Sequence, residues 1–145
     1  MKLVEIYTDG ACSGNPGVGG WAAILMYKDT RKEISGAEAE TTNNRMEMTA
    51  VIKAFEMLKE KCRVKLYSDS AYVINAFLEG WTEQWSKNEW RALSGGKIKN
   101  IDLWEKLLGL EGKHSVEWIK VKGHSDNENN NRCDLLARTA IKKEQ

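Results

Sequence analysis

An α/β layered domain, built on a mixed five-stranded sheet flanked by helices, is the fold class that the amino-acid sequence predicts. Three observations carry it. Apolar residues alternate at period two in three early segments, switch to a helical period from Asn44, and then interleave strand and helix patterns to the end of the chain. At 145 residues the chain suits one core of ordinary size, so residues 1–145 are expected to form a single domain.

The first strand is expected over Leu3 to Thr8, where Leu3, Val4, Ile6 and Thr8 are set against Glu5 and Tyr7. It runs into the Asp9-Gly10 pair. The stretch GACSGNPGVGG that follows holds the only proline, Pro16, and five of the 12 glycines, and is expected to be a turn. Trp21 to Tyr27 and Lys32 to Thr41 complete an antiparallel three-strand meander.

Met48, Val51, Ile52, Phe55 and Leu58 then recur at helical spacing, with Lys53, Glu56, Lys59 and Glu60 on the other side, which predicts a helix to about Lys61. Val64 to Ser68 reads as a short strand, and Asp69-Ser70 opens a helix through Tyr72, Val73, Ala76 and Phe77 to Gly80. Strand, helix, strand is a right-handed crossover unit, so the first and fourth strands are expected to be parallel neighbours.

Residues 81–100 break the regular pattern and form an irregular helical insertion with three of the six tryptophans. Lys87, Arg91, Lys97 and Lys99 stand against Glu83 and Glu89, a net charge of +2 and hence a weakly basic protrusion. Trp81, Trp85 and Trp90 recur at nearly helical spacing, which serves equally to pack the insertion on the core or to meet a ligand. Ile101 to Leu110 makes another helix, Val116 to Val121 a fifth strand, and a last helix carries Leu135, Leu136, Ala140 and Ile141.

Composition excludes several classes. With 41% hydrophobic and 30% charged residues, and 22 basic against 21 acidic side chains, the chain is neither disordered nor a polyanion-coating protein. No apolar run approaches the roughly 20 residues that span a bilayer, and the N-terminus lacks a signal-peptide layout, so a cytoplasmic protein without a membrane partner is expected. Cys12, Cys62 and Cys133 are odd in number and have no CxxC spacing, which favours reduced thiols over disulfides or zinc. No obligate protein partner is evident, and a monomer is expected.

Four carboxylates matter jointly more than singly. Asp9 could serve a turn, Asp69 an N-cap, Glu47 a capping box with Asn44, and Asp134 the dipole at the start of a helix. In a crossover sheet, however, the adjacent ends of the first and fourth strands place Asp9 and Asp69 at one crevice, and Glu47 on the first turn of the crossover helix points back over it. Unpaired like charges in one place call for cations, and oxygen-only donors suit magnesium (Mg2+) or manganese (Mn2+). Two such ions clamp an in-line displacement at phosphorus, although a structural calcium site fits the same acids nearly as well.

The segments TDGACSGNPG, TTNNRMEMTAV, YSDSAYV, KNIDLW and VKGHSDNENNNRCDLLA, in that order and over nearly the whole chain, closely resemble the type 1 ribonuclease H family. The resemblance implies a ribonuclease H-like fold. It also implies hydrolysis of the RNA strand of an RNA–DNA hybrid by two-metal chemistry, leaving 5′-phosphate and 3′-hydroxyl ends, an activity used in DNA replication. Asp9, Glu47, Asp69 and Asp134 match the metal-binding and catalytic acids, and His124 matches a loop histidine that assists proton transfer or product departure.

By the same resemblance, Cys12, Asn15, Asn43 and Asn44 line the RNA strand, whose 2′-hydroxyls need small polar partners in a shallow groove. Asn43 and Asn44 are also candidate helix caps. Thr42 and Asn100 match a pocket for a DNA-strand phosphate, while Trp81, Trp85 and Lys87 match the family's basic protrusion. Here Glu40 is acidic where some relatives carry arginine, and Ala71 replaces a glutamine that contacts the hybrid in relatives. The small positive charge predicts modest hybrid affinity with a shallow salt dependence. The alternatives are a catalytically silent hybrid-binding module and a same-fold metal nuclease acting on DNA.

Overall fold

The computed structural model describes residues 1–122 and 127–145. Strands β1 (Lys2–Gly14), β2 (Gly17–Tyr27) and β3 (Thr30–Thr41) form the meander. Helix α1 (Asn43–Glu56) crosses to β4 (Cys62–Ser68), and α2 (Ala71–Leu78), α3 (Trp81–Lys87) and α4 (Ile101–Glu111) lead to β5 (Ser115–Lys120) and α5 (Glu128–Glu144). The sheet order is β3-β2-β1-β4-β5, with β1–β2 and β2–β3 antiparallel and β1–β4 and β4–β5 parallel. The expected mixed sheet and its parallel first and fourth strands are therefore present.

Period-two alternation distributes β2 between two cores. Ala23 and Leu25 join the larger cluster under α1, α2 and α4, with Val51, Phe55, Val73 and Trp104, while Ala22 and Ile24 meet Cys133 and Ala137 of α5 on the other face. Burial of these apolar side chains on both faces is what holds the layers together. Gly20 makes the second layer possible, because any Cβ there would collide with the Ala137 carbonyl.

Two boundaries differ from the sequence expectation. Most of the GACSGNPGVGG stretch is strand rather than turn: β1 continues to Gly14, β2 begins at Gly17, and Gly10↔Trp21 through Gly14↔Gly17 pair in register. Glycine weakens a lone strand, but here a neighbouring strand and close-packed helices supply the order. Helix α1 ends at Glu56, not near Lys61. The Met57 and Leu58 amides donate back to the carbonyls of Ala54 and Phe55 at 3.1 and 3.0 Å, a tight last turn that lets the chain reverse into β4 within five residues.

In the insertion, the packing role is clearest for Trp85 and Trp90, which are partly buried against the larger core; Trp85 meets Trp104 edge-on at 5.6 Å. Trp81 remains 40% exposed. The three cysteines are free thiols. Among the described residues, no helix is long and apolar enough to cross a membrane.

Candidate active site

Register brings the first two acids together. The β1–β4 ladder ends at Tyr7↔Tyr67, so Asp9 and Asp69 each lie two residues beyond the same pair and face the same side of the parallel strands. Asp9 is held further by its pairing with Ala22 of β2, whereas at Asp69 the chain leaves the sheet. Ser70, not Asp69, caps α2: its hydroxyl accepts the Val73 N–H at 3.3 Å.

Glu47 arrives from above. Thr42 is the N-cap of α1, its hydroxyl accepting the Arg45 N–H at 3.2 Å, so neither Asn43 nor Asn44 has that role. Glu47 therefore lies in the second turn, beyond reach of a capping box with Asn44. The helix comes so close to β1 that only glycine fits at position 10, against the Glu47 backbone.

One carboxylate oxygen from each of Asp9, Glu47 and Asp69 falls within 4.8 Å of the others. Asp9 and Glu47 are buried. Burial, then the charges of Asp69 and Asp134, push the Asp9 carboxyl up to about 8. Burial, then the charges of Asp9 and Asp69, hold Glu47 well above the usual carboxylate range. Asp134, on α5, lines the same cavity of about 300 Å³ and accepts from Arg138 Nε at 2.9 Å. Among the described residues, no lysine, arginine or histidine lines that cavity.

This arrangement fits hard cations. Glu47 Oε1 and Asn130 Oδ1 are buried acceptors without a hydrogen-bond donor, and both residues line the cavity. An oxygen-only donor set in which Asp9 and Glu47 hold their protons tightly suits exchange of those protons for a divalent ion of the magnesium or manganese kind.

The remaining expected residues fall into two groups. Cys12 and Asn43 line the carboxylate cavity, and the Asn43 N–H donates to Asn15 Oδ1 at 3.2 Å, which joins the β1–β2 turn to the start of α1; Asn44 is exposed on the same turn of helix. The Cys12 thiol donates to the Thr41 carbonyl at 3.4 Å. Asn100 stands at the start of α4 in the left-handed conformation, φ 62°, and gives its amide to the Tyr72 hydroxyl at 3.0 Å. Trp81, Trp85 and Lys87 all belong to α3, away from the carboxylate cavity lining. His124 lies outside the described residues.

Sequence reasoning did not single out Arg45. Its guanidinium forks onto Asp102 at 2.8 and 3.0 Å and also donates to Asn100 Oδ1 at 3.2 Å, tying α1 to the start of α4. Its place between Asn44 and Glu47 was the available signal.

A crevice at the ends of parallel strands, lined by Asp9, Glu47, Asp69 and Asp134 and, among the described residues, by no lysine, arginine or histidine, defines an α/β protein with a candidate divalent-metal site. Comparisons with known proteins make this specific. The family model described as RNase H matches residues 1–142. The chain is 62% identical over 141 residues to a ribonuclease H of Moorella thermoacetica, covering 97% of this chain and 93% of the relative. It is 61% identical over 143 residues to one of Acetivibrio thermocellus, covering 99% and 97%. The crystal structure of LC9-RNase H1, described as a type 1 RNase H with the type 2 active-site motif, superimposes with a TM-score of 0.87 at 31% identity, covering 99% of this chain and 74% of that one. The chain belongs to the RNase H family, and it is a ribonuclease H hydrolase.

Proposed function

We propose that the chain hydrolyses the RNA strand of RNA–DNA hybrids endonucleolytically, with Asp9, Glu47, Asp69 and Asp134 holding two magnesium ions, or manganese in their place. The observation that carries this reading is the convergence of Asp9, Glu47 and Asp69 oxygens within 4.8 Å, with no cationic side chain on the cavity lining among the described residues. When bound there, divalent ions supply Lewis-acid stabilisation and a nucleophilic water for attack at phosphorus, giving 5′-phosphate and 3′-hydroxyl ends.

The chain's own residues orient the substrate. Cys12, Asn15, Asn43 and Asn44 follow the RNA strand, because small polar groups beside the acids suit 2′-hydroxyls in a shallow groove. Thr42 and Asn100 receive a phosphate of the DNA strand, with Trp81, Trp85 and Lys87 of the protrusion at 81–100 further along it. His124 moves a proton at the scissile phosphate or aids departure of product. His124→Ala is expected to slow turnover while metal binding persists, and a wild-type rate sinks that role. Residues 1–145 act as one unit, a reading supported by one continuous sheet, and the three free thiols suit a monomer in the reducing cytoplasm.

The test offers labelled hybrid, double-stranded DNA, double-stranded RNA and single-stranded RNA with magnesium. Cleavage confined to the RNA of the hybrid is expected. Equal cleavage of DNA makes the chain a general nuclease, and hybrid binding without cleavage makes it a silent module; either result overturns the proposal.

A further inference from the structure

The opposite end of the sheet carries a second cavity, of about 260 Å³, whose residues take no part in the proposed hydrolysis. Val4 on its lining is five residues before Asp9 on β1, roughly 17 Å along an extended strand. The floor is apolar: Val4, Leu25 and Cys62 are buried, and Tyr27, Met57 and Leu58 are partly buried beside them. The cavity owes part of its wall to the early end of α1, since Met57 and Leu58 leave the helix to line it.

Its rim is cationic. Lys2, Lys32 and Lys59 are exposed on the lining, and the one acid there, Glu60, sits 3.6 Å from Lys2 Nζ, which leaves a net lining charge of +2. Lys2 Nζ also lies 5.2 Å from the centre of the Tyr27 ring, so its stem follows the apolar wall. Among the described residues, Tyr27 and Thr30 bring the only uncharged hydroxyls to the lining. That is too few neutral partners to read a sugar or a base. An apolar floor under a positive rim instead matches a ligand with an apolar body and one anionic end.

We propose that this cavity binds a small free carboxylic acid of about ten heavy atoms in all, its apolar chain against Val4, Leu25 and Leu58 and its carboxylate among Lys2, Lys32 and Lys59. The site is independent of the carboxylate cluster. Nothing in the proposed hydrolysis depends on it.

The probe is octanoate, with neutral octanamide as its control, titrated into ¹⁵N-labelled protein and followed in amide spectra. Saturable shifts are expected at Val4, Leu25, Tyr27, Leu58 and Cys62, with a dissociation constant on the order of 1 mM. Octanamide should bind about fivefold or more weakly, and Lys32→Gln/Lys59→Gln should weaken octanoate by a similar factor at unchanged thermal stability. Equal binding of octanamide, an unaltered constant in the double variant, shifts centred on Asp9 and Glu47, or no saturation at about 10 mM would each overturn the proposal. Because the amide control uses the unmodified protein, the test stands even where the variant folds poorly.

Discussion

Gly10 and Glu47 are in backbone contact: a Cβ built on Gly10 would lie 2.9 Å from Glu47 Cα and nearer still to its amide nitrogen. That approach lets a helical carboxylate reach the strand-borne Asp9. Gly10→Ala is therefore expected to push α1 off β1, costing about 2–3 kcal/mol of stability and at least about tenfold in hybrid cleavage. Chemical denaturation and a cleavage assay check both, and a neutral substitution contradicts the contact.

Asp9 makes stability and function pull apart. Its folded value of about 8 lies above the ordinary 3.8, so the folded chain keeps a proton that the unfolded chain releases. The resulting stability is present below about pH 4 and is lost as pH rises through about 8. Without metal, Asp9→Asn should thus be more stable than the parent, by several kcal/mol near pH 8 and by little near pH 4. Magnesium should stabilise the parent and not the variant. Thermal melts over that range test the sign, and a gap that narrows with rising pH contradicts it.

Glu33 fastens α5, the helix that carries Asp134, to the meander. Arg132 forks onto it at 3.0 Å through Nε and Nη2 and Arg31 adds a third contact at 3.1 Å, which hold its carboxyl below the usual range. Such a group stabilises above its unfolded value, near 4.5, and loses that contribution as pH falls through the lower folded one. Solvent screening keeps the effect to about 0.5–1 kcal/mol. The stability difference between parent and Glu33→Gln should be present at neutral pH and vanish in acid. A difference that grows on acidification argues against the clamp.

Arg45 supports the proposed phosphate pocket through Asn100. Arg45→Ala and Asn100→Ala should each raise KM for the hybrid about three- to tenfold and leave kcat nearly unchanged, because phosphate contacts position the duplex without entering the chemistry. Steady-state kinetics separates the two constants. A loss confined to kcat contradicts the assignment.

The sheet order was legible because alternation and crossover rules are local or topological; β1, β4 and their acids follow from Leu3 to Asp9 and Val64 to Asp69 alone. The end of α1 was not. Lys59, Glu60 and Lys61 favour helix, and only the distance to β4 stops it at Glu56. The caps Thr42 and Ser70 lay beside more conspicuous Asn and Asp residues. Arg45 and Asp102 are 57 positions apart, and a pair that distant leaves no periodic trace. The joint geometry of Asp9, Glu47 and Asp69 also needed the structure, since Gly10 shows its purpose only against α1.

The most direct measurement is the rate of hybrid-RNA cleavage by Asp9→Asn under saturating magnesium, with the fold verified by circular dichroism. A fall of at least about a thousandfold in a folded, more stable protein is the predicted result. A rate within about tenfold of the parent would contradict the claim that these carboxylates hold the reactive metal ions.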